Sequence, residues 1–189
     1  MSMRRNNCVL ILCLSLLLVF TACSQDGNKA AKEAAGTSSN ASGNPDSSAG
    51  KDPPKDVVRA EAGNVEIKAG ATAEAAVKLT IAKGYHINGN PPSFPYLKPT
   101  ELEVEPGGGI TAGSAPVYPP AVSRNFAFSK DGPLAVYEGE VVIKVSLNAA
   151  GSAKKGLQTL KAKVRVQPCD EEACYLPRTI ETTIPVTVK

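Results

Sequence analysis

The sequence predicts an all-β domain of the sandwich type, and three observations carry that prediction. Apolar and polar residues alternate with a period of two over several long runs, and no run shows the helical period. Glycine (16 residues) and proline (15) sit between those runs as turn signals. From residue 57 to residue 189 the length suits one core but not two.

Strands are expected at residues 57–61, 64–68, 73–82, 85–88, 100–105, 115–118, 134–137, 140–147, 158–167 and 179–188. In 73–82, Val77, Leu79 and Ile81 share a face; in 140–147, Val141, Ile143, Val145 and Leu147 do. In 158–167, Leu160, Ala162, Val164 and Val166 alternate with Lys161, Lys163, Arg165 and Gln167. Beyond the next loop, Ile180, Thr182, Ile184, Val186 and Val188 alternate with polar or small residues. Two stretches do not suit strands. Residues 90–95 hold three prolines, which cannot join a central ladder, so they form an irregular loop. Residues 118–133 read as a long excursion with exposed aromatics, carrying Arg124, Phe126, Phe128 and Lys130.

Residues 1–22 read as an address. Arg4 and Arg5 form a positive start, residues 9–20 are apolar apart from Cys13 and Ser15, and Thr21-Ala22-Cys23 follows. The apolar run is short for a bilayer span, which makes it a signal peptide. Cysteine after Thr-Ala resembles a lipoprotein processing site, although Phe20 stands where leucine is usual. The expectation is lipidation at Cys23, against an ordinary secretory signal with an incidental cysteine. Cys8 and Cys13 would be removed with the signal. Ser24 after Cys23, rather than Asp, favours an outer-membrane destination in a Gram-negative envelope. Residues 23–56 are rich in Ala, Gly, Ser, Asn, Lys and Asp and lack aromatics, so they are expected to be a flexible linker.

The chemistry centres on residues 167–177, Gln-Pro-Cys-Asp-Glu-Glu-Ala-Cys-Tyr-Leu-Pro. Cys169 and Cys174 lie between two strand candidates, and a disulfide between them would close a hairpin near its tip. As a staple, a ring of about six residues contributes roughly 2 kcal/mol, against nearly 5 for a hundred-residue loop. That is a weak use of two cysteines, and a reversible redox pair is the better one; the staple remains the alternative. Asp170, Glu171 and Glu172 disfavour a neighbouring thiolate. The pair therefore reads as a passive couple attacked by a more reactive partner thiol.

These residues resemble the end of the amino-terminal periplasmic domain of the thiol:disulfide interchange protein DsbD family. The match runs from Val166-Gln167-Pro168-Cys169 through Cys174-Tyr175-Leu176-Pro177. Gly84-Tyr85-His86-Ile87-Asn88, Pro99-Thr100-Glu101-Leu102 and Val136-Tyr137-Glu138-Gly139 resemble further family segments. The resemblance covers about residues 57–189 and implies an immunoglobulin-like β-sandwich performing thiol–disulfide exchange through Cys169 and Cys174. The cysteine spacing is one residue shorter than in the best-known members. In the family, a phenylalanine-bearing loop caps the cysteine pair, which by position points to Phe126 or Phe128. The alternative is that both phenylalanines fill the core. Tyr85 and Tyr175 are further candidates for capping or partner contact. Full-length members continue into a membrane conduit and a thioredoxin-like domain, neither of which occurs in this sequence. The expected electron donor is therefore a separate membrane reductase or thioredoxin-like protein. The expected location is the bacterial cell envelope, with the lipid-anchored domain on its periplasmic or outer face.

Other chemistries find little support. Without the signal, 19 basic residues face 18 acidic ones, and no basic cluster carries interleaved aromatics, which argues against nucleic acid. Gly107-Gly108-Gly109 precedes no helix and reads as a turn rather than a phosphate loop. One histidine supports no Ser-His-acid set. His86 with Cys169 and Cys174 has metal-ligand chemistry, but a lone histidine beside a strand is more often a packed residue, so no metal or other cofactor is expected. The competing functional reading is a non-enzymatic lipoprotein interaction module with a permanent disulfide.

Overall fold

A computed structural model describes residues 52–189. The signal peptide, Cys23 and the linker as far as Lys51 lie outside the described residues. Every regular element described is a strand: β1 (Val58–Ala62), β2 (Val65–Ile67), β3 (Thr72–Ile81), β4 (His86–Asn88), β5 (Glu101–Val104), β6 (Ile110–Ala112), β7 (Val122–Arg124), β8 (Leu134–Tyr137), β9 (Glu140–Ala149), β10 (Gly156–Val166), β11 (Pro168–Cys169) and β12 (Arg178–Val188).

The strands form three four-stranded sheets, ordered β1-β3-β9-β6, β2-β12-β10-β5 and β11-β4-β8-β7. All pairings are antiparallel except β2 with β12. The two sheets built on the long strands β3, β9, β10 and β12 supply the core. Val77, Leu79 and Ile81 of β3 and Ile143, Val145 and Leu147 of β9 share one buried cluster with Leu160, Val164, Ile184 and Val186 of β10 and β12. Alternate residues of these strands turn to solvent, as the period-two pattern requires. The result is an all-β, immunoglobulin-like sandwich.

The third sheet positions the cysteines. Its central pair is β4 with β8, and Gly89 brings the end of β4 close to its neighbours. A Cβ at Gly89 would stand 2.8 Å from the Ala121 Cβ and 3.1 Å from the Ala135 carbonyl oxygen, while the Gly89 N–H donates to that oxygen at 2.7 Å. A second, smaller buried cluster of Leu97, Phe126, Leu134 and Val136 lies against this sheet, with Phe94 and Phe128 half-buried beside it.

Several local expectations need correction. Residues 115–118 form no strand: Val117 alone bridges to Lys144, because Pro116, Pro119 and Pro120 lack the N–H groups a ladder needs. β6, β7 and β11 span only two or three residues, too few for periodicity to reveal. The cysteines do pair across the β10–β12 connection, as an isolated antiparallel bridge, but beyond the end of the continuous ladder. That ladder stops at Val166 paired with Arg178, and Pro168–Cys169 pairs with β4 in the third sheet. Phe126 and Phe128 lie in a turn closed by the Ser129 N–H on the Phe126 carbonyl, not in a strand. Phe126 is buried, so the excursion is not an array of exposed aromatics.

Eleven residue pairs hold β10 to β12, and both strands bury their inner faces without help from the disulfide. The ring contributes about 2 kcal/mol in the chain-entropy account. A Cys169→Ala/Cys174→Ala variant is therefore expected to melt cooperatively, no more than about 10 °C below the parent in calorimetry. Alanine is preferred to serine because Cys169 is fully buried and a serine hydroxyl there would need a partner. Loss of a cooperative transition would mean that the ring holds the fold.

Candidate functional site

Cys169 and Cys174 are joined by a disulfide with an S–S distance of 2.03 Å. The two cysteines are unequally placed: Cys169 is 0% exposed, whereas Cys174 is half-buried. The difference follows from topology. Cys169 belongs to β11 and is clamped against β4, while Cys174 lies on the return of the loop. The backbone closes the loop locally. Cys169 and Cys174 form a bridge pair, the Asp170 N–H donates to the Ala173 carbonyl at 3.0 Å, and the Tyr175 N–H donates to the Pro168 carbonyl at 2.8 Å.

Asp170 organises the acidic spacer. Its Oδ1 accepts the N–H groups of Glu172 and Ala173 at 2.8 and 2.9 Å, and its Oδ2 accepts the Tyr175 hydroxyl. Burial alone would raise the Asp170 pKa, but the Tyr175 hydroxyl and the two N–H donors outweigh it and hold the carboxyl below its ordinary value. The same contact pushes the Tyr175 hydroxyl up, with burial adding to it. The Tyr175 ring lies 6.2 Å from that of Tyr85, centroid to centroid. Glu171 faces Arg124 at 3.9 Å, and Arg124 also meets Glu138 at 3.0 Å.

His86 lies directly across the β4–β11 register from Cys169. Opposite residues of an antiparallel pair project to the same face, with Cβ atoms about 5 Å apart. The imidazole is 1% exposed and stacks on Phe126 with ring centroids 4.1 Å apart. Phe128 continues the stack at 5.3 Å from Phe126. The two phenylalanines thus differ in place: Phe126 joins the small core cluster, while Phe128 is half-buried. An open cleft of about 710 Å³ lies over Cys174, with Phe128, Tyr175, Tyr96 and Leu176 in its walls. Tyr85 lies outside that cleft, beside His86 and Arg124 in a second depression.

Two buried side-chain atoms lack partners among the described residues: His86 Nε2 and Asn88 Oδ1. Asn88 uses its Nδ2 instead, donating to the Lys98 carbonyl at 3.1 Å and to Gln167 Oε1 at 3.0 Å. Gln167 also accepts the Lys98 N–H at 2.9 Å and donates to the Tyr175 carbonyl at 3.2 Å. In the sequence Gln167 stands only as part of the cysteine context, and His86 only as a metal-ligand candidate with the two cysteines that was set aside for a packed residue. Alternation puts both on the polar side of their strands, so the sequence carried no local signal for their enclosure.

Burial lowers the His86 pKa to about 4 from 6.5, helped by the Arg124 cation and opposed by Asp170. The folded protein therefore binds the proton more weakly than the unfolded chain. Stability from this group is complete above pH 6.5 and is lost as the pH falls towards about 4. A shift of that size corresponds to up to about 3 kcal/mol. Melting temperature is expected to fall across that window, and a His86→Phe variant, which retains the stack on Phe126, is expected to show a flatter dependence. An equally steep profile in the variant would assign the loss to carboxylates alone.

Residues 55–185 match the family described as thiol:disulfide interchange protein DsbD, N-terminal. No curated protein sequence matches the chain. Among solved structures, the N-terminal periplasmic domain of ScsB from Proteus mirabilis is similar at 16% identity and a TM-score of 0.42, over 66% of this chain and 44% of that one. The chain thus spans less than half the length of that ScsB structure. AggA, the major subunit of aggregative adherence fimbriae type I from Escherichia coli, is similar at 12% identity and a TM-score of 0.38, over 70% of this chain and 94% of that one. BcpA, the major pilin subunit of Bacillus cereus, is similar at 9% identity and a TM-score of 0.36, over 70% of this chain and 40% of that one. The family match takes in the third sheet, the acidic loop and both cysteines of the disulfide, and on it the chain belongs to the family of the DsbD N-terminal domain.

Proposed function

We propose that this protein is an envelope thiol–disulfide relay in which Cys169 and Cys174 alternate between disulfide and dithiol. The observation that carries this reading is a short-ring disulfide set in a loop outside the main ladders, with one sulfur buried and the other beside an open cleft. A staple would contribute more by closing a longer loop. Membership of a thiol:disulfide interchange family supports the same reading.

The partner is a protein thiol. Its thiolate attacks Cys174 Sγ, the sulfur the cleft leaves accessible, and Cys169 Sγ departs. Cys169 then resolves the mixed disulfide when the relay runs the other way. Asp170, Glu171 and Glu172 keep negative charge beside the pair, which disfavours spontaneous thiolate formation and leaves initiation to the more reactive partner. Phe128 and Tyr175 on the cleft wall, with Tyr85 next to Tyr175 outside it, form the aromatic margin against which the partner docks, and Phe126 stacks on Phe128. Attachment to the membrane through an acylated Cys23 would hold the domain near a membrane reductase or thioredoxin-like donor.

Single-cysteine variants separate the roles. Cys169→Ala should leave a free Cys174 that accumulates mixed disulfides with thiol proteins in the envelope, seen as reducible adducts on non-reducing gels. Cys174→Ala should accumulate few, because Cys169 is enclosed. If neither variant captures a thiol protein, the relay reading fails and a permanent disulfide is left. Mass spectrometry of membrane-extracted protein should show acylated Cys23 at the mature amino terminus; a chain cut elsewhere would remove the anchor from the proposal.

A further inference from the structure

We propose that His86 is the proton acceptor for the Cys169 thiol, taking its proton as that sulfur closes the ring on a Cys174 mixed disulfide. The inference rests on the relay reading of the cysteine pair. It starts from a chemical requirement. Cys169 is fully buried, and its thiol must lose a proton to act as a nucleophile. A bare thiolate there would be desolvated and would face the Asp170 carboxylate, so the proton must pass to a base inside the site as the bond forms.

The groups around Cys169 leave one suitable base. Arg124, on β7, is a permanent cation. Asp170 already has both carboxylate oxygens engaged, by the Tyr175 hydroxyl and two N–H groups. Tyr175 is itself held as a donor to Asp170. Glu171 and Glu138 are turned to Arg124, and Lys83 and Tyr85 flank the outer side of the depression. The Gln167 carbonyl lies 3.9 Å from Cys169 Sγ and can accept a hydrogen bond but not a proton. His86 stands across the register from Cys169, is buried, and has an Nε2 with no partner. A buried polar atom normally has one. In the disulfide form the sulfur of Cys169, across the register, has no hydrogen to offer, whereas in the dithiol form it does.

The step balances as follows. The S–S bond between Cys174 and the partner breaks, and the bond between Cys169 and Cys174 forms. The partner sulfur leaves as a thiolate with the bonding electron pair, and the Cys169 proton moves to His86 Nε2. The dithiol has lost two electrons and the partner disulfide has gained them. The imidazolium then lies near the Asp170 carboxylate, which favours its charge, and releases its proton to solvent. In the opposite direction the imidazolium returns the proton to the departing Cys169 sulfur. Phe126, stacked on the imidazole, holds the ring in place.

The test uses the reduced full chain with Cys8, Cys13 and Cys23 replaced by serine, mixed with the aromatic disulfide dithiobis(nitrobenzoate). The first nitrothiobenzoate released reports attack by the accessible Cys174, and the second reports ring closure by Cys169. His86→Phe and His86→Gln should slow the second phase at least about tenfold near neutral pH and leave the first unchanged. The second phase of the parent should lose rate as the imidazole becomes protonated, and those of the variants should not follow that titration. Equal second phases in parent and variants would overturn the proton role while leaving the relay intact. Failure of the parent to release a second equivalent would overturn both. His86 is the only histidine in the chain, so a readout without mutation exists. Imidazole nitrogen NMR should show Nε2 moving between the disulfide and dithiol forms. Identical spectra and titrations in the two forms would overturn the proposal even if the variants fail to fold.

Discussion

The side chain of Gln167 occupies the point where one sheet hands the chain to another. Up to Val166 the backbone is satisfied by β12, and from Pro168 it is satisfied by β4. A ladder that stops inside a domain leaves polar groups behind, and each one left unpaired costs about 1–3 kcal/mol. The Gln167 amide fills the gap there, meeting the Asn88 side-chain amide, the Lys98 N–H and the Tyr175 carbonyl. One carboxamide thereby ties β4, the proline loop and the return of the cysteine loop together. The position of the disulfide, and of everything stacked around it, depends on that junction.

From the junction follows the asymmetry on which the chemistry turns. The strand leaving Gln167 carries Cys169 inward against His86, whereas the returning strand carries Cys174 towards the cleft. In the proposed relay a partner would therefore meet Cys174 and not Cys169. The acidic spacer adds a second asymmetry. It keeps the loop rigid through Asp170 while opposing thiolate formation at both sulfurs. In the proposed relay, a pair arranged this way would resist casual exchange with small thiols and respond to a partner that brings its own activated sulfur. The ion pairs of Arg124 with Glu138 and Glu171 are exposed and add little to stability. Their use is to steady the rim.

The long strands were legible because burial on one face imposes a period of two, and ten or more residues make that period plain in β3, β9, β10 and β12. The family resemblance was legible in the Gln-Pro-Cys and Cys-Tyr-Leu-Pro contexts. The switch of sheets was not. Val164, Val166 and Pro168 continue the same buried alternation, so nothing local marks the point where the partner strand changes. The pairing of His86 with Cys169 joins residues far apart in sequence and depends on that switch. β7 was hidden for a different reason: all three of its residues are exposed, so it has no buried face to read. Phe126 and Phe128 meet because a turn brings them to one side, and no periodicity marks such a turn.

The central claim is that this disulfide is set to open while the sandwich stays folded. The most direct measurement is its equilibrium reduction potential in the mature protein, by titration against dithiothreitol and glutathione with strand content followed in parallel. A relay pair should titrate above about −300 mV with no loss of β structure. A potential below that value, or unfolding that accompanies reduction, would contradict the account.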